Sequence, residues 1–134
     1  MRAYRLGRIL LAYVCALFAA SLAIAIFHVV MIMLVEPKTS SKVLLFILPA
    51  TLGLTPFVLL FTIIPGLIVA ISAELAGLRS SVAYISIGVG VALLCLGVVV
   101  GWDVINLLIY PASGAVAGYV YWLVAGRNSV PYGY

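Results

Sequence analysis

Long apolar runs alternate with short polar segments along the chain. The apolar runs occupy about residues 9–35, 43–72, 81–101 and 104–125, and a short polar tail follows at 126–134. About 20 apolar residues in a helix are enough to cross the ~30 Å hydrocarbon core of a bilayer. Each run is that long, so the pattern predicts an all-α polytopic membrane protein with four transmembrane helices in a single domain.

The second run differs from the others in its prolines. Residues 43–73 include no ionisable side chain, yet Pro49, Pro56 and Pro65 all fall there. A straight helix over this run would be about 45 Å long, so we expect it to tilt or to bend at Pro56 or Pro65. A variant of this prediction ends the span near Ile64 and starts a short interfacial helix at Pro65, because proline suits a first helical turn.

The second run supports two functional interpretations. Its threonines are placed to return hydrogen bonds to carbonyls of their own helix. In one interpretation the run is a packed, kinked helix, which the lack of charge beside the break favours. In the other it is a broken helix that lines a transport path. The pore or kink residues would then be Thr51, Gly53, Thr55 and Pro56.

Glycines mark the third and fourth runs. So few residues separate these runs that we predict a tight antiparallel hairpin, with Asp103 as the N-cap of the fourth helix. Counted from the turn, Gly90 pairs with Gly114 at a depth of roughly 17 Å, and Gly88 pairs with Gly118 at roughly 22 Å. Glycines at matched depth would let the two helices pack closely. The predicted packing residues are Gly88, Gly90, Gly114 and Gly118, with Gly97 and Gly101 left for another helix or another protomer.

A second small-residue pattern lies on the first span. Alanines recur there at steps of three and four, at Ala12, Ala16, Ala19, Ala20 and Ala23. Such a face lets another backbone come close in lipid, and we expect it to be left for contacts beyond the four-helix bundle. The alternative is simple alanine richness without a packing role.

Composition narrows the class of protein further. Of 134 residues, 67% are hydrophobic and 7% are charged, whereas soluble domains carry about 25% charged residues. The expected partners are therefore the lipid bilayer and other membrane-protein subunits or further copies of the chain. A soluble enzyme, a nucleic-acid module and a disulfide scaffold are all disfavoured, and the net charge of +4 is not interpreted as a nucleic-acid footprint.

The basic residues predict the orientation. One side of the predicted membrane carries Arg2, Arg5, Arg8, Arg79 and Arg127, and the other carries Lys38 and Lys42. The positive-inside rule then places both termini and the polar tail in the cytoplasm. The first run is longer than the 7–15 apolar residues of a signal peptide, so we expect it to be a retained span.

Few side chains are candidates for chemistry. Glu36, Glu74 and Asp103 fall at span ends, which argues against a proton-coupled antiporter of the small four-helix multidrug type. His28 is the single histidine, and a metal or haem would need more ligands. We expect it to be neutral and bonded to a carbonyl. No catalytic, metal or cofactor site is predicted. Cys15 is expected to be too far from Cys95 for a disulfide, and both are interpreted as small buried apolar residues.

Charged residues gather at the predicted cytoplasmic boundary. Glu74, Arg79 and Arg127 are candidates for an ion pair or a lipid-headgroup site there. The favoured interpretation is that they are solvated residues that only set the topology.

Two stretches of the second half carry a family resemblance. They are Glu74-Leu-Ala-Gly-Leu-Arg79-Ser80, followed by Tyr84 and Gly88, and the segment from Gly114 to Arg127. Together they resemble small, uncharacterised four-span inner-membrane proteins of bacteria. The resemblance implies a location in the bacterial inner membrane and carries no activity.

Two functions follow from these observations as hypotheses. The first is a non-enzymatic protein that acts by helix packing, as an accessory or assembly subunit of a larger membrane complex or as a homo-oligomer. The alternative is a small oligomeric channel or carrier built around the second span. A membrane enzyme is disfavoured because the sequence offers no paired carboxylates and no nucleophile–base pair.

Overall fold

The computed structural model describes residues 3–35, 45–100 and 103–126. Over these residues the chain forms helices and no strand. The helices are α1 (Ala3–Val35), α2 (Ile47–Leu75), α3 (Ser81–Cys95) and α4 (Val104–Val124), and a π-helical turn over Leu96–Val100 extends α3.

Each helix contains a segment that is long and apolar enough to cross a membrane. These segments are Leu6–Val35, Ile47–Ala73, Ser81–Val98 and Val104–Val124. The prediction of an all-α membrane protein with four transmembrane helices is confirmed. The second helix begins later than predicted, since residues 45 and 46 form a turn before Ile47. It also ends later, at Leu75 and not at residue 72.

Helix α2 continues through both Pro56 and Pro65. The variant that starts a separate helix at Pro65 is therefore wrong. A proline removes one backbone donor and leaves the carbonyl four residues earlier without its helical partner. For Pro65 that carbonyl belongs to Phe61, and it accepts a hydrogen bond from the Cys95 thiol of α3, with an S–O distance of 3.7 Å. A neighbouring helix thus supplies a substitute donor.

The threonines of α2 bond to their own helix, as predicted. Their hydroxyls donate to the carbonyls four residues earlier: Thr51 to Ile47, Thr55 to Thr51 and Thr62 to Val58, at 2.7, 2.8 and 2.6 Å. None of these carbonyls is one that a proline deprives of its partner. The threonines therefore add a second bond to carbonyls within the regular helix.

The four helices pack in a ring that is weak on one side. Helix α3 has its most extensive contact with α4, α4 also packs on α1, and α1 packs on α2. The remaining contact, between α2 and α3, is small. We call this side of the ring the α2–α3 seam.

Helix α1 buries its alanines inside the bundle. Ala12, Ala16 and Ala20 are all buried, and the first two belong to a core cluster with Ala73, Tyr84 and other residues of the remaining helices. The expectation that the alanine face of the first span is left for an outside partner is therefore wrong for these residues. The face is covered because α2 and α4 both pack on α1.

Helices α3 and α4 meet backbone to backbone at glycines. A methyl group at Gly88 would overlap the carbonyl oxygen of Gly114, and one at Gly118 would overlap the carbonyl oxygen of Tyr84. Gly114 itself lies against Ala92. Only hydrogen atoms fit at these contacts, which explains why the helices can pack so closely.

Gly90 does not take part in this contact. It is exposed, and a methyl group there would meet no atom within 4 Å, so its predicted pairing with Gly114 is wrong. Residues two apart on a helix point in nearly opposite directions, and Gly88 already faces α4. Gly97 is exposed in the π-helical turn, and Gly101 lies outside the described residues.

The connection between α2 and α3 begins with a hydrogen-bonded turn at Gly77. Gly77 has a φ of 64°, and the amide of Leu78 donates to the carbonyl of Ala73 at 3.1 Å, the pattern of a glycine-terminated helix. Gly77 therefore ends α2 with a hydrogen-bonded turn. At the start of α4, Asp103 accepts a bond from the amide of Val104 at 2.8 Å, as predicted for an N-cap.

The glycine contact predicts a matched pair of variants. Gly88→Ala should lower the free energy of unfolding in mild detergent by about 1–3 kcal/mol, because the added methyl overlaps the backbone of α4. Gly90→Ala, two residues away on the same helix, should leave stability unchanged or slightly higher. Reversible unfolding by a denaturing detergent, followed by circular dichroism, measures both. Equal effects of the two variants would contradict the packing described here.

Candidate functional site: a central apolar cavity

All four helices line one cavity of about 360 Å³ in the middle of the ring. Its wall includes Leu17 of α1, Phe61 of α2, Val91 of α3 and Ala117 of α4. Protein interiors generally leave few voids larger than a water molecule, whereas ligand pockets measure about 300–1,000 Å³. We call this space the central cavity, and it is the main candidate for a functional site.

Aromatic side chains close one end of the central cavity. The rings of Tyr84 and Tyr121 stack with centroids 5.5 Å apart, and both side chains are buried. The Tyr84 hydroxyl donates to the carbonyl of Leu78 at 3.2 Å, and the Trp122 indole donates to the carbonyl of Arg79 at 2.8 Å. These bonds tie the α2–α3 connection to α3 and α4 at this end.

A hydrogen-bonded pair of hydroxyls joins α1 to α2 at the wall of the cavity. The oxygens of Tyr13 and Thr62 are 3.2 Å apart. Because the Thr62 hydroxyl donates to Val58, the Tyr13 hydroxyl donates to Thr62. Gly66 leaves room for the tyrosine, since a methyl group there would lie 2.8 Å from the ring. Sequence analysis did not identify this pair.

Two other polar groups of the wall, on Ser113 and Cys95, are also bonded to the protein. The Ser113 hydroxyl donates to the carbonyl of Tyr110 at 2.7 Å, and the Cys95 thiol donates to Phe61 across the α2–α3 seam. Cys95 therefore has a bonding role beyond the apolar one expected for it. Both cysteines are free thiols and half-buried, not fully buried.

A second, side cavity lies between α1 and α2. It measures about 660 Å³ and is bordered by His28, Gly53, Phe57 and Tyr110, among others. The His28 ring nitrogen Nδ1 lies 2.8 Å from the carbonyl oxygen of Ile24, so the predicted bond to a carbonyl is confirmed. Within the described ranges, no three His, Cys, Asp or Glu side chains gather as they would around a metal ion.

The predicted pore residues do not gather around one cavity. Gly53 borders the side cavity and Pro56 is exposed. Thr51 is buried and Thr55 half-buried, and neither belongs to the wall of the central or the side cavity. Their hydroxyls bond to carbonyls of α2 itself. The structure therefore separates residues that the pore hypothesis groups together.

The predicted cytoplasmic-boundary site falls partly outside the described residues. Arg79 is exposed at the start of α3. The side chain of Glu74 and the whole of Arg127 are not among the residues that the structure describes. The ion pair or lipid-headgroup site proposed for these three residues stays a prediction.

Comparison with known proteins returned no match to a family model, a curated protein or a solved structure.

The arrangement is suited to holding an apolar group away from water. The cavity wall is made mostly of aliphatic and aromatic side chains, and the hydroxyls and thiol described above are bonded to other protein atoms. Such a wall provides packing surface and few polar atoms to orient a polar ligand.

The Tyr13–Thr62 pair predicts a measurable coupling. In a cycle of Tyr13→Phe and Thr62→Val, the coupling energy should be about 0.6 kcal/mol, the average for hydrogen bonds between membrane helices. Unfolding of the two single variants and the double variant in mixed detergent micelles measures it.

Ser72 provides the control for this cycle. Its hydroxyl donates to the carbonyl of Ile68 in the same helix at 2.8 Å. Tyr13→Phe combined with Ser72→Ala should show additive effects. If the Tyr13–Thr62 cycle were equally additive, the hydroxyls would not stabilise the contact between α1 and α2.

Proposed function

We propose that this protein acts without catalysing a reaction, by helix packing in the membrane, as an accessory or assembly subunit of a larger complex or as a homo-oligomer. The observation that carries the proposal is an outward face of α3 made of small and apolar residues. Its members are Val82, Ser86, Gly90, Leu94 and Gly97, and all five are exposed.

The spacing of this face suits contact with another helix. Ser86 and Gly90 are one helical turn apart, which is the small-x-x-x-small pattern that allows close approach of two helices in lipid. Gly88 and the face that it occupies are already used by α4. The outward face therefore offers a second packing surface on the opposite side of the same helix.

Location and orientation form part of the proposal. The resemblance of the second half of the chain to four-span inner-membrane proteins favours the bacterial inner membrane. The side of the membrane that holds both termini carries five basic residues and the other side carries two, and this excess favours cytoplasmic termini.

A small oligomeric channel or carrier is the second candidate function. One observation favours it: Gly53 of α2 borders the side cavity together with His28, the single histidine of the chain. A polar side chain beside a cavity within the membrane-spanning region is a feature of some transport paths. The separation of Thr51 and Thr55 from that cavity weighs against a path along α2.

Two glycine variants distinguish the candidates. Neither Gly90 nor Gly53 has an atom within 4 Å of an added methyl group, so leucine at either position should leave the single chain folded. Gly90→Leu should weaken assembly about tenfold, equivalent to about 1.4 kcal/mol, because it blocks close approach at the α3 face. Gly53→Leu should leave assembly unchanged.

Native mass spectrometry of protein extracted gently from its own membrane measures this assembly. A heteromeric mass identifies the accessory subunit's partner, and a homo-oligomeric mass identifies self-association. Ion or solute flux in liposomes provides the opposing test. Flux that Gly53→Leu abolishes, with assembly insensitive to Gly90→Leu, would overturn the packing proposal in favour of the channel.

A further inference from the structure

We propose that the central cavity is a binding site for one hydrocarbon tail of a bilayer lipid. This inference is independent of the proposed assembly role, since it concerns the inside of the helix ring and not its outer face. It depends on the length of the cavity, the chemistry of its wall and the position of its opening.

The central cavity is long enough for a single lipid tail. Its wall runs from Tyr13 to Ile24 on α1, from Tyr84 to Cys95 on α3 and from Tyr110 to Tyr121 on α4. Each of these stretches spans about 16 Å along a helix, and the wall on α2, from Leu54 to Ala73, spans about 28 Å, at 1.5 Å per residue. One leaflet contributes about half of a ~30 Å hydrocarbon core, so the cavity is at least as long as one leaflet is deep.

The wall favours hydrocarbon over water or a polar ligand. A buried water needs about two to four polar partners. The wall hydroxyls of Tyr13 and Ser113 and the thiol of Cys95 donate to other protein atoms. The remaining wall is largely aliphatic and aromatic. An alkyl tail requires no hydrogen bonds and gains dispersion contacts with these side chains.

The opening lies at the α2–α3 seam. Phe57 and Phe61 line the cavity, yet they are 64% and 44% exposed, so they stand at its edge. Contact between α2 and α3 is small at this side of the ring. Both helices belong to the membrane-spanning segments, so this opening faces the lipid hydrocarbon, and a tail can enter sideways without crossing water.

Photolabelling in lipid nanodiscs tests the proposal directly. The probe is a phosphatidylethanolamine with a diazirine near the end of one tail, added to nanodiscs of unlabelled phosphatidylethanolamine and phosphatidylglycerol. Peptide mapping should find adducts on inward residues such as Leu17 and Ala117 as well as on the exposed surface. Adducts confined to outward residues such as Leu60 and Ile64 would overturn the proposal.

Two tryptophan variants separate the cavity from the outer surface. Val91→Trp fills the cavity from α3 and should lower the yield of inward adducts about tenfold, the effect of about 1.4 kcal/mol in binding. Leu60→Trp adds the same side chain at an exposed position of α2 and should leave inward adducts unchanged. Unchanged inward labelling in a folded Val91→Trp protein would overturn the proposal.

A smaller substitution covers the case in which Val91→Trp fails to fold. Ala117→Leu reduces the cavity from α4 and should lower inward labelling by a smaller factor, with outward labelling as the internal reference. The labelling experiment on the unaltered protein tests the lipid-tail proposal without any variant. Assembly measured on the same samples reports on the α3 face separately, so failure of one proposal is distinguishable from failure of the other.

Discussion

The backbone contact between α3 and α4 is the constraint on which the rest of the arrangement depends. A lipid environment provides no hydrophobic force that drives helices together, so close packing has to come from shape. Gly88, Gly114 and Gly118 provide that shape, since no side chain larger than hydrogen fits where they meet the opposing backbone. Helix α3 has its main contact there and little contact with α2. The position of α3, and with it the width of the α2–α3 seam, therefore follows from this glycine contact.

Packing at one end of the ring closes that end of the central cavity. Tyr84 and Tyr121 stack across α3 and α4, and they join a core cluster with Ala12, Ala73 and other small residues of α1 and α2. Alanines bring the helices close, and the two aromatic rings fill the space between them. The same helices are less tightly packed further along, where the cavity lies, because Leu54 and Phe57 of α2 are not matched by a close contact with α3. The cavity therefore results from tight helix packing at one end of the ring and between α3 and α4, together with looser packing between α2 and α3.

Apolar run length predicted the four helices and the all-α class, because run length depends on the bilayer and not on tertiary contacts. Residue type predicted Asp103 as a cap and the bonds of the threonines to the backbone, because both depend only on neighbouring residues of the chain. The direction in which each glycine faces was harder to predict. Counting depth from the turn matched Gly90 with Gly114, whereas rotation along the helix makes Gly88 the residue that faces α4. Tyr13 and Thr62 are 49 positions apart in the chain, and the cavity wall combines residues of all four helices. A tyrosine near the start of the first apolar run and a threonine near a Pro-Gly step were the available signals, but one sequence does not say which helices are neighbours.

The backbone hydrogen bond that α2 lacks at Pro65 bears on how easily the α2–α3 seam separates. Its missing amide leaves the Phe61 carbonyl without a helical donor, and the Cys95 thiol of α3 takes that place. A thiol is a weak donor, so separating α2 from α3 at this point costs less than breaking a bond between an amide and a carbonyl. Phe61 also stands at the edge of the cavity. The weakly bonded α2–α3 seam thus lies beside the cavity, where a lipid tail would enter and leave, while the glycine contact on the other side of α3 keeps the bundle together.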